Sequence, residues 1–188
     1  QGGWVDRIKR SYISKLIEGG ERQNVINLAI GGDISTRLVS RLEGAFESAT
    51  VSSKDVGCVV PIGVNDARWV DEVGSPQTSD ETYEETLREI FTHIKQYTDR
   101  ILVPGLTTIN DSTSLRFKNF IYDKERIAAY DKILQKVATE SGAVYVEVAS
   151  KLQGKPELFF RDNLHLNDAG HELLAQLVLP ELEKILHP

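Results

Sequence analysis

Four short apolar runs, separated by helical patterns, constrain this chain more than any other feature. They are NVINLAI at residues 24–30, VGCVVPI at 56–62, ILVP at Ile101–Pro104 and AVYVEV at 143–148. Runs that are apolar throughout, rather than alternating, suit strands covered on both faces. Between them lie residues at helical spacing. Trp4, Ile8, Tyr12 and Leu16 recur every four positions until Gly19-Gly20, which should stop the helix. Leu38, Leu42 and Phe46 mark a second helix, and Tyr83, Leu87, Ile90, Phe91 and Ile94 a third. Thr78-Ser79-Asp80-Glu81 in front of the third places a Thr three residues before a Glu, the pattern of a capping box. A helix over 126–140 carries Ile127, Tyr130, Leu134 and Val137. Asn167 is positioned to cap a closing helix, which Pro180 should kink or restart. Strands alternating with helices imply parallel crossovers. The expected fold is a doubly wound, three-layer α/β/α domain with a mostly parallel, flavodoxin-like sheet, in one domain over residues 1–188.

Composition narrows the function. With 22 Lys+Arg against 28 Asp+Glu and a net charge of −6, no basic stripe is available for a phosphate backbone. No apolar run approaches the roughly 18 residues of a membrane span. A single cysteine excludes an intrachain disulfide within these residues and is compatible with the cytoplasm without excluding export. Cys58 sits in a core run and reads as an inert buried thiol. Met is absent, and the expectation is that Gln1 is not a translation start.

In doubly wound sheets, ligands bind at the carboxyl ends of the strands, so the loops after the apolar runs carry the functional candidates. The first is Gly31-Gly32-Asp33-Ile34-Ser35. A glycine there lets a backbone N–H approach a ligand, or simply makes a tight turn. No G-x-G-x-x-G or Walker pattern points to a nucleotide. The second is Gly63-Val64-Asn65-Asp66. The Asn65 amide can donate to an oxyanion, or close an Asx turn on its own backbone. The third is Asp162-Asn163-Leu164-His165, followed by Asn167-Asp168-Ala169-Gly170. Here a carboxylate three residues before a histidine can hold Nδ1–H and leave Nε2 as a base. The plain alternative is a surface ion pair, worth little. His171 reads as a helix-surface residue. Arg68, Trp69 and Phe117 are candidates for a substrate rim, and the stretch from 107 to 122 for a lid or pocket wall.

In order and placement these three blocks resemble the SGNH hydrolases, the GDSL-type esterases and lipases. The resemblance implies an ester hydrolase working through an acyl-enzyme, with Asp162 and His165 as catalytic residues and Gly32 and Asn65 in the oxyanion hole. It implies no cofactor and no metal, and a small-molecule ester as partner: an acetylated sugar, a short-chain aryl ester, a lysophospholipid or an acyl-thioester. The family's first block is missing, because no Gly-Asp-Ser occurs in the 188 residues. Gly32-Asp33-Ile34-Ser35 comes nearest, but Ser35 lies after the glycine-bearing run instead of before it and reads as a helix N-cap. The expectation is that the nucleophile strand precedes Gln1, lying between the runs at 24–30 and 56–62 and keeping them from pairing. A catalytically silent relative that binds a glycan or lipid, or an unrelated flavodoxin-like binding module, are the alternatives.

Overall fold

The computed structural model describes residues 2–48, 56–70, 74–110 and 113–187. Eight helices are present among them: α1 (Trp4–Ile17), α2 (Ser35–Val39), α3 (Leu42–Ser48), α4 (Val64–Ala67), α5 (Asp80–Ile94), α6 (Lys124–Glu140), α7 (Ala149–Leu152) and α8 (Asp168–Leu186). Seven strands accompany them: β1 (Cys58–Val59), β2 (Trp69–Val70), β3 (Ser75–Pro76), β4 (Ile101–Pro104), β5 (Ser114–Phe117), β6 (Phe120–Asp123) and β7 (Val144–Val146).

The central sheet is parallel, in the order β1-β4-β7. Its middle strand explains the layering. Ile101 and Val103 point to one face, where they pack with Leu87 and Ile90 of α5 and Tyr130 and Leu134 of α6. Leu102 points to the other, against Ile8 and Tyr12 of α1 and Val178 of α8. Alternate side chains of one strand thus enter two separate cores, which is why the run is apolar without a break. The fold is the expected three-layer α/β/α arrangement. At about 1.5–3 kcal/mol for each large side chain removed from water, these two cores dominate the favourable side of folding.

Several local expectations are corrected. Residues 24–30 form no strand, and Ile26, Leu28 and Ile30 are exposed. An apolar run becomes a strand only when a neighbour satisfies its backbone. Here Leu28 C=O is held by a side chain, the Arg41 guanidinium, at 2.9 Å. No ladder joins 24–30 to 56–62 among the described residues. The run at 56–62 shortens to Cys58–Val59, which pairs with β4. The second expected helix divides into α2 and α3. The cap of α5 is Ser79, whose hydroxyl accepts from Thr82 N–H at 3.2 Å; Thr78 instead donates inward to Asp66. Ile34, not Ser35, occupies the N-cap of α2. Pro180 lies inside α8, which runs through it unbroken. Asn167 does cap α8, accepting from Ala169 and Gly170 N–H.

A second, antiparallel sheet in the order β3-β2-β6-β5 was not anticipated. Part of the 107–122 stretch is the β5–β6 hairpin, closed between Phe117 and Phe120 with Lys118 at φ 55°.

Candidate active site

The loop from Phe159 to Asn167 is built to hold one imidazole. Asn167 Nδ2 donates to Glu157 and Phe159 C=O at 2.7 and 3.0 Å. Phe160 N–H donates to His165 C=O at 2.8 Å, and Asn110 grips Asn163 through both main chain and side chain. Inside this frame Asp162 Oδ1 accepts from Leu164 and His165 N–H at 3.1 and 3.0 Å, and Oδ2 lies 2.8 Å from His165 Nδ1. Burial pushes the Asp162 carboxyl up, but the two amides and the imidazole outweigh it and hold it below its ordinary value. An ionised carboxylate on Nδ1 fixes the tautomer and leaves Nε2 outward. The His165 side chain is 58% exposed, so that nitrogen is accessible.

Gly32, Asn65 and Asp66 form a second arm. Gly32 has φ +79°, and nothing lies within 4 Å of the position a Cβ would take. The glycine is therefore required by backbone conformation, and its surroundings are open. Gly63 differs: at φ +142°, a Cβ there would come within 2.1 Å of the Tyr83 hydroxyl. Asn65 belongs to the first turn of α4, just beyond the position expected at a strand end. Its Nδ2 donates to Asp33 C=O at 3.1 Å. The neighbouring Asp66 is fully buried and accepts from Ser35 N–H at 3.0 and 3.1 Å, Ser35 Oγ at 2.6 Å and Thr78 Oγ1 at 2.9 Å. Burial raises the Asp66 carboxyl above its usual range despite these donors. Ser35 is thus buried, its hydroxyl committed to Asp66. The Asp33 carboxylate pairs with Arg41 at 2.7 Å.

The antiparallel sheet connects the two arms. Pairing of Trp69 with Ile121 sets Arg68 opposite Tyr122. Arg68 Nη1 and the Tyr122 hydroxyl both donate to Asn65 Oδ1, at 3.1 and 3.2 Å. The Arg68 guanidinium lies 3.6 Å over the Phe120 ring. Phe120 pairs with Phe117, whose ring meets His165 edge-on at 5.3 Å between centroids. Contacts therefore run from Asp33, next to Gly32, through Asn65 and the hairpin to His165. Trp69, expected at the rim, is stacked against the Arg126 guanidinium at 4.7 Å. In the sequence Tyr122 is only the last residue of the stretch from 107 to 122. The period-two pattern of Leu115, Phe117, Phe120 and Tyr122 around a two-residue turn was the signal that could have placed it.

Of two other groups, His171 differs from its simple reading and Cys58 agrees with it. His171 is half-buried at the start of α8, where burial and the nearby Arg7 lower its proton affinity. Burial pushes the Cys58 thiol up to about 12, which suits an unreactive side chain.

The sequence profile of the GDSL-like Lipase/Acylhydrolase family matches residues 1–173. No curated protein matches. Solved structures share the fold. A lipase/acylhydrolase from Enterococcus faecalis superposes with a TM-score of 0.76 at 21% identity, covering 96% of this chain and 85% of its own. An α/β hydrolase enzyme from the metagenome of Lake Arreo, Spain, gives 0.74 at 19%, covering 97% and 82%. An acetylxylan esterase from Geobacillus stearothermophilus gives 0.71 at 20%, covering 96% and 81%.

Proposed function

This chain belongs to the GDSL-like lipase/acylhydrolase family and is an ester-hydrolysing enzyme, and on that premise we propose that it works through a serine acyl-enzyme with His165 as general base and acid. The observation that carries the reading is the 2.8 Å contact between Asp162 Oδ2 and Nδ1 of an accessible His165. Catalytic mutants of the Geobacillus acetylxylan esterase replace a serine, an aspartate and a histidine, the last two three residues apart. Asp162 and His165 have the same spacing.

In the proposed cycle a serine hydroxyl attacks the ester carbonyl, forming the Oγ–C bond while Nε2 of His165 takes the proton. The tetrahedral intermediate collapses, the bond to the alcohol breaks, and His165 returns the proton to the leaving oxygen. Water repeats the sequence on the acyl-enzyme and releases the acid. Asp162 keeps Nδ1–H oriented and stabilises the imidazolium. Gly32 N–H and the Asn65 amide bind the oxyanion, each such donor being worth on the order of 10²–10³ in kcat. The substrate is a small, lipid or carbohydrate ester, and Phe117 beside His165 forms part of the wall it meets.

The serine is proposed to come from a strand preceding Gln1 and seated between residues 24–30 and 56–62. Supporting this, a cavity of about 1090 Å³ is lined by both runs, by Val25, Ile26 and Ile30 from the first and by Cys58, Val60 and Ile62 from the second. The backbone bonds of Cys58 and Val60 go to the β4 side, and Val59 has no strand partner on its other side among the described residues. An apolar lining beside an unpaired strand edge suits an inserted strand. Labelling the full-length protein with a fluorophosphonate and mapping the modified peptide tests this. The label is expected on a serine ahead of Gln1. A label on Ser35, or an active enzyme that resists labelling, would overturn it.

A further inference from the structure

Arg68 is a half-buried cation whose hydrogen-bond acceptors are all neutral: Asn65 Oδ1 at 3.1 Å, the Tyr122 hydroxyl at 3.3 Å and Gln77 Oε1 at 3.3 Å. No carboxylate pairs with it among the described residues, although Arg7, Arg41, Arg88 and Arg126 all have one. A guanidinium can only donate, so the Asn65 atom facing it must be the oxygen. At the other end Asp33 C=O can only accept, so the atom facing it must be the nitrogen. Rotating the amide by half a turn would set donor against donor and acceptor against acceptor. The orientation of Asn65 is therefore decided by chemistry at both ends.

One Nδ2 hydrogen is engaged by Asp33, which leaves the second for a ligand. Donation from a cation to Oδ1 also withdraws electron density across the conjugated amide and makes that hydrogen a stronger donor, as in cooperative hydrogen-bond chains. The cation has a rigid seat, because its face rests on Phe120 at 3.6 Å and the β2–β6 register sets it opposite Tyr122. We propose that Arg68, assisted by Tyr122, is a positioning residue that locks and polarises the Asn65 amide toward the oxyanion of the transition state. The proposal rests on the reading of Asn65 as an oxyanion donor. It places Arg68 behind the oxyanion hole instead of on the substrate rim.

The test is steady-state hydrolysis of p-nitrophenyl acetate by the full-length enzyme. Arg68→Met keeps an unbranched side chain and removes the donors together with the guanidinium that lies over Phe120. It should lower kcat about 10- to 100-fold, part of the 10²–10³ that an oxyanion donor supplies, with KM within about threefold. Tyr122→Phe removes a single hydroxyl and should lower kcat about 3- to 10-fold. Arg68→Lys keeps a charged donor and should recover most of the Arg68→Met loss. In an Asn65→Ala background, Arg68→Met should cost no more than about twofold further, because its route of action is gone. A raised KM at unchanged kcat would overturn the proposal in favour of direct substrate binding. An undiminished loss in the Asn65→Ala background would overturn it too. Should Arg68→Met fail to fold, the Tyr122→Phe value decides: unchanged kcat refutes. If Asn65→Ala itself leaves kcat intact, the oxyanion reading falls and this proposal with it. If Asn65→Ala is impaired while Arg68 and Tyr122 variants are not, only this proposal falls.

Discussion

Replacing Asp66 with alanine probes how the fold holds the oxyanion arm. Its carboxylate is fully buried and accepts from the Ser35 amide, the Ser35 hydroxyl and the Thr78 hydroxyl. Truncation leaves three buried donors without their acceptor. The hydroxyls can rotate toward other partners, whereas the amide cannot. An orphaned buried donor costs about 1–3 kcal/mol. Freeing the protein from a desolvated carboxylate offsets part of this, so a net loss of about 2–4 kcal/mol is expected. At roughly 2–4 °C per kcal/mol for a chain of this size, Tm should fall by about 5–15 °C in a calorimetric scan. Ser35→Ala, which removes one hydroxyl and leaves the acceptor in place, should cost about 1 kcal/mol. The pH dependence has a definite sign. Burial raises the folded-state value of Asp66, so its titration favours folding below the ordinary carboxylate range, and that contribution is lost as pH rises through the raised value. The stability of the wild type relative to Asp66→Asn should therefore decline with rising pH across that window. An Asp66→Ala Tm within about 2 °C of wild type would refute the argument, since that is the size of shift an ordinary surface substitution gives.

Two further perturbations separate chemistry from stability. His165→Ala should lower kcat for p-nitrophenyl acetate by about 10⁴-fold or more. The same variant should move unfolding stability by no more than about 0.5 kcal/mol, because the side chain is largely exposed; an enzyme retaining wild-type kcat/KM would rule out the general-base role. Gly63→Ala combines φ +142° with a Cβ 2.1 Å from the Tyr83 hydroxyl and should cost about 3–5 kcal/mol in urea denaturation. Adding Tyr83→Phe should return part of that loss, and no recovery would assign the cost to backbone strain and to Leu106 Cδ2, 2.9 Å from the added Cβ.

What could be read from the sequence follows from how local each feature is. Ile101–Pro104 was legible because both its faces are covered, so every side chain had to be apolar. Helices α5 and α6 were legible because their buried residues recur at helical spacing. The run at 24–30 misled for a related reason: apolar character reports a demand for burial, while strand formation also requires a paired neighbour. The two-residue strands at Trp69–Val70 and Ser75–Pro76 carry no periodicity to detect, and Pro76 argues against one. In the candidate site, Asp162 and His165 could be found because their relation spans three residues. The bond from Tyr122 to Asn65 spans 57 residues, and only the register of β2 on β6 brings it about.

That difference in span has a kinetic consequence. The Asp162–His165 contact closes within a single loop turn, a step that needs little chain entropy. The grip on Asn65 waits until the 114–123 hairpin docks against Trp69–Val70, across more than fifty residues. Non-local pairing of this kind is slow relative to local closure. During refolding the imidazole would be in place while the amide still swings between its two orientations. Recovery of turnover should thus track protection of the β2–β6 amides in pulsed hydrogen exchange, and lag behind protection of the loop that carries His165.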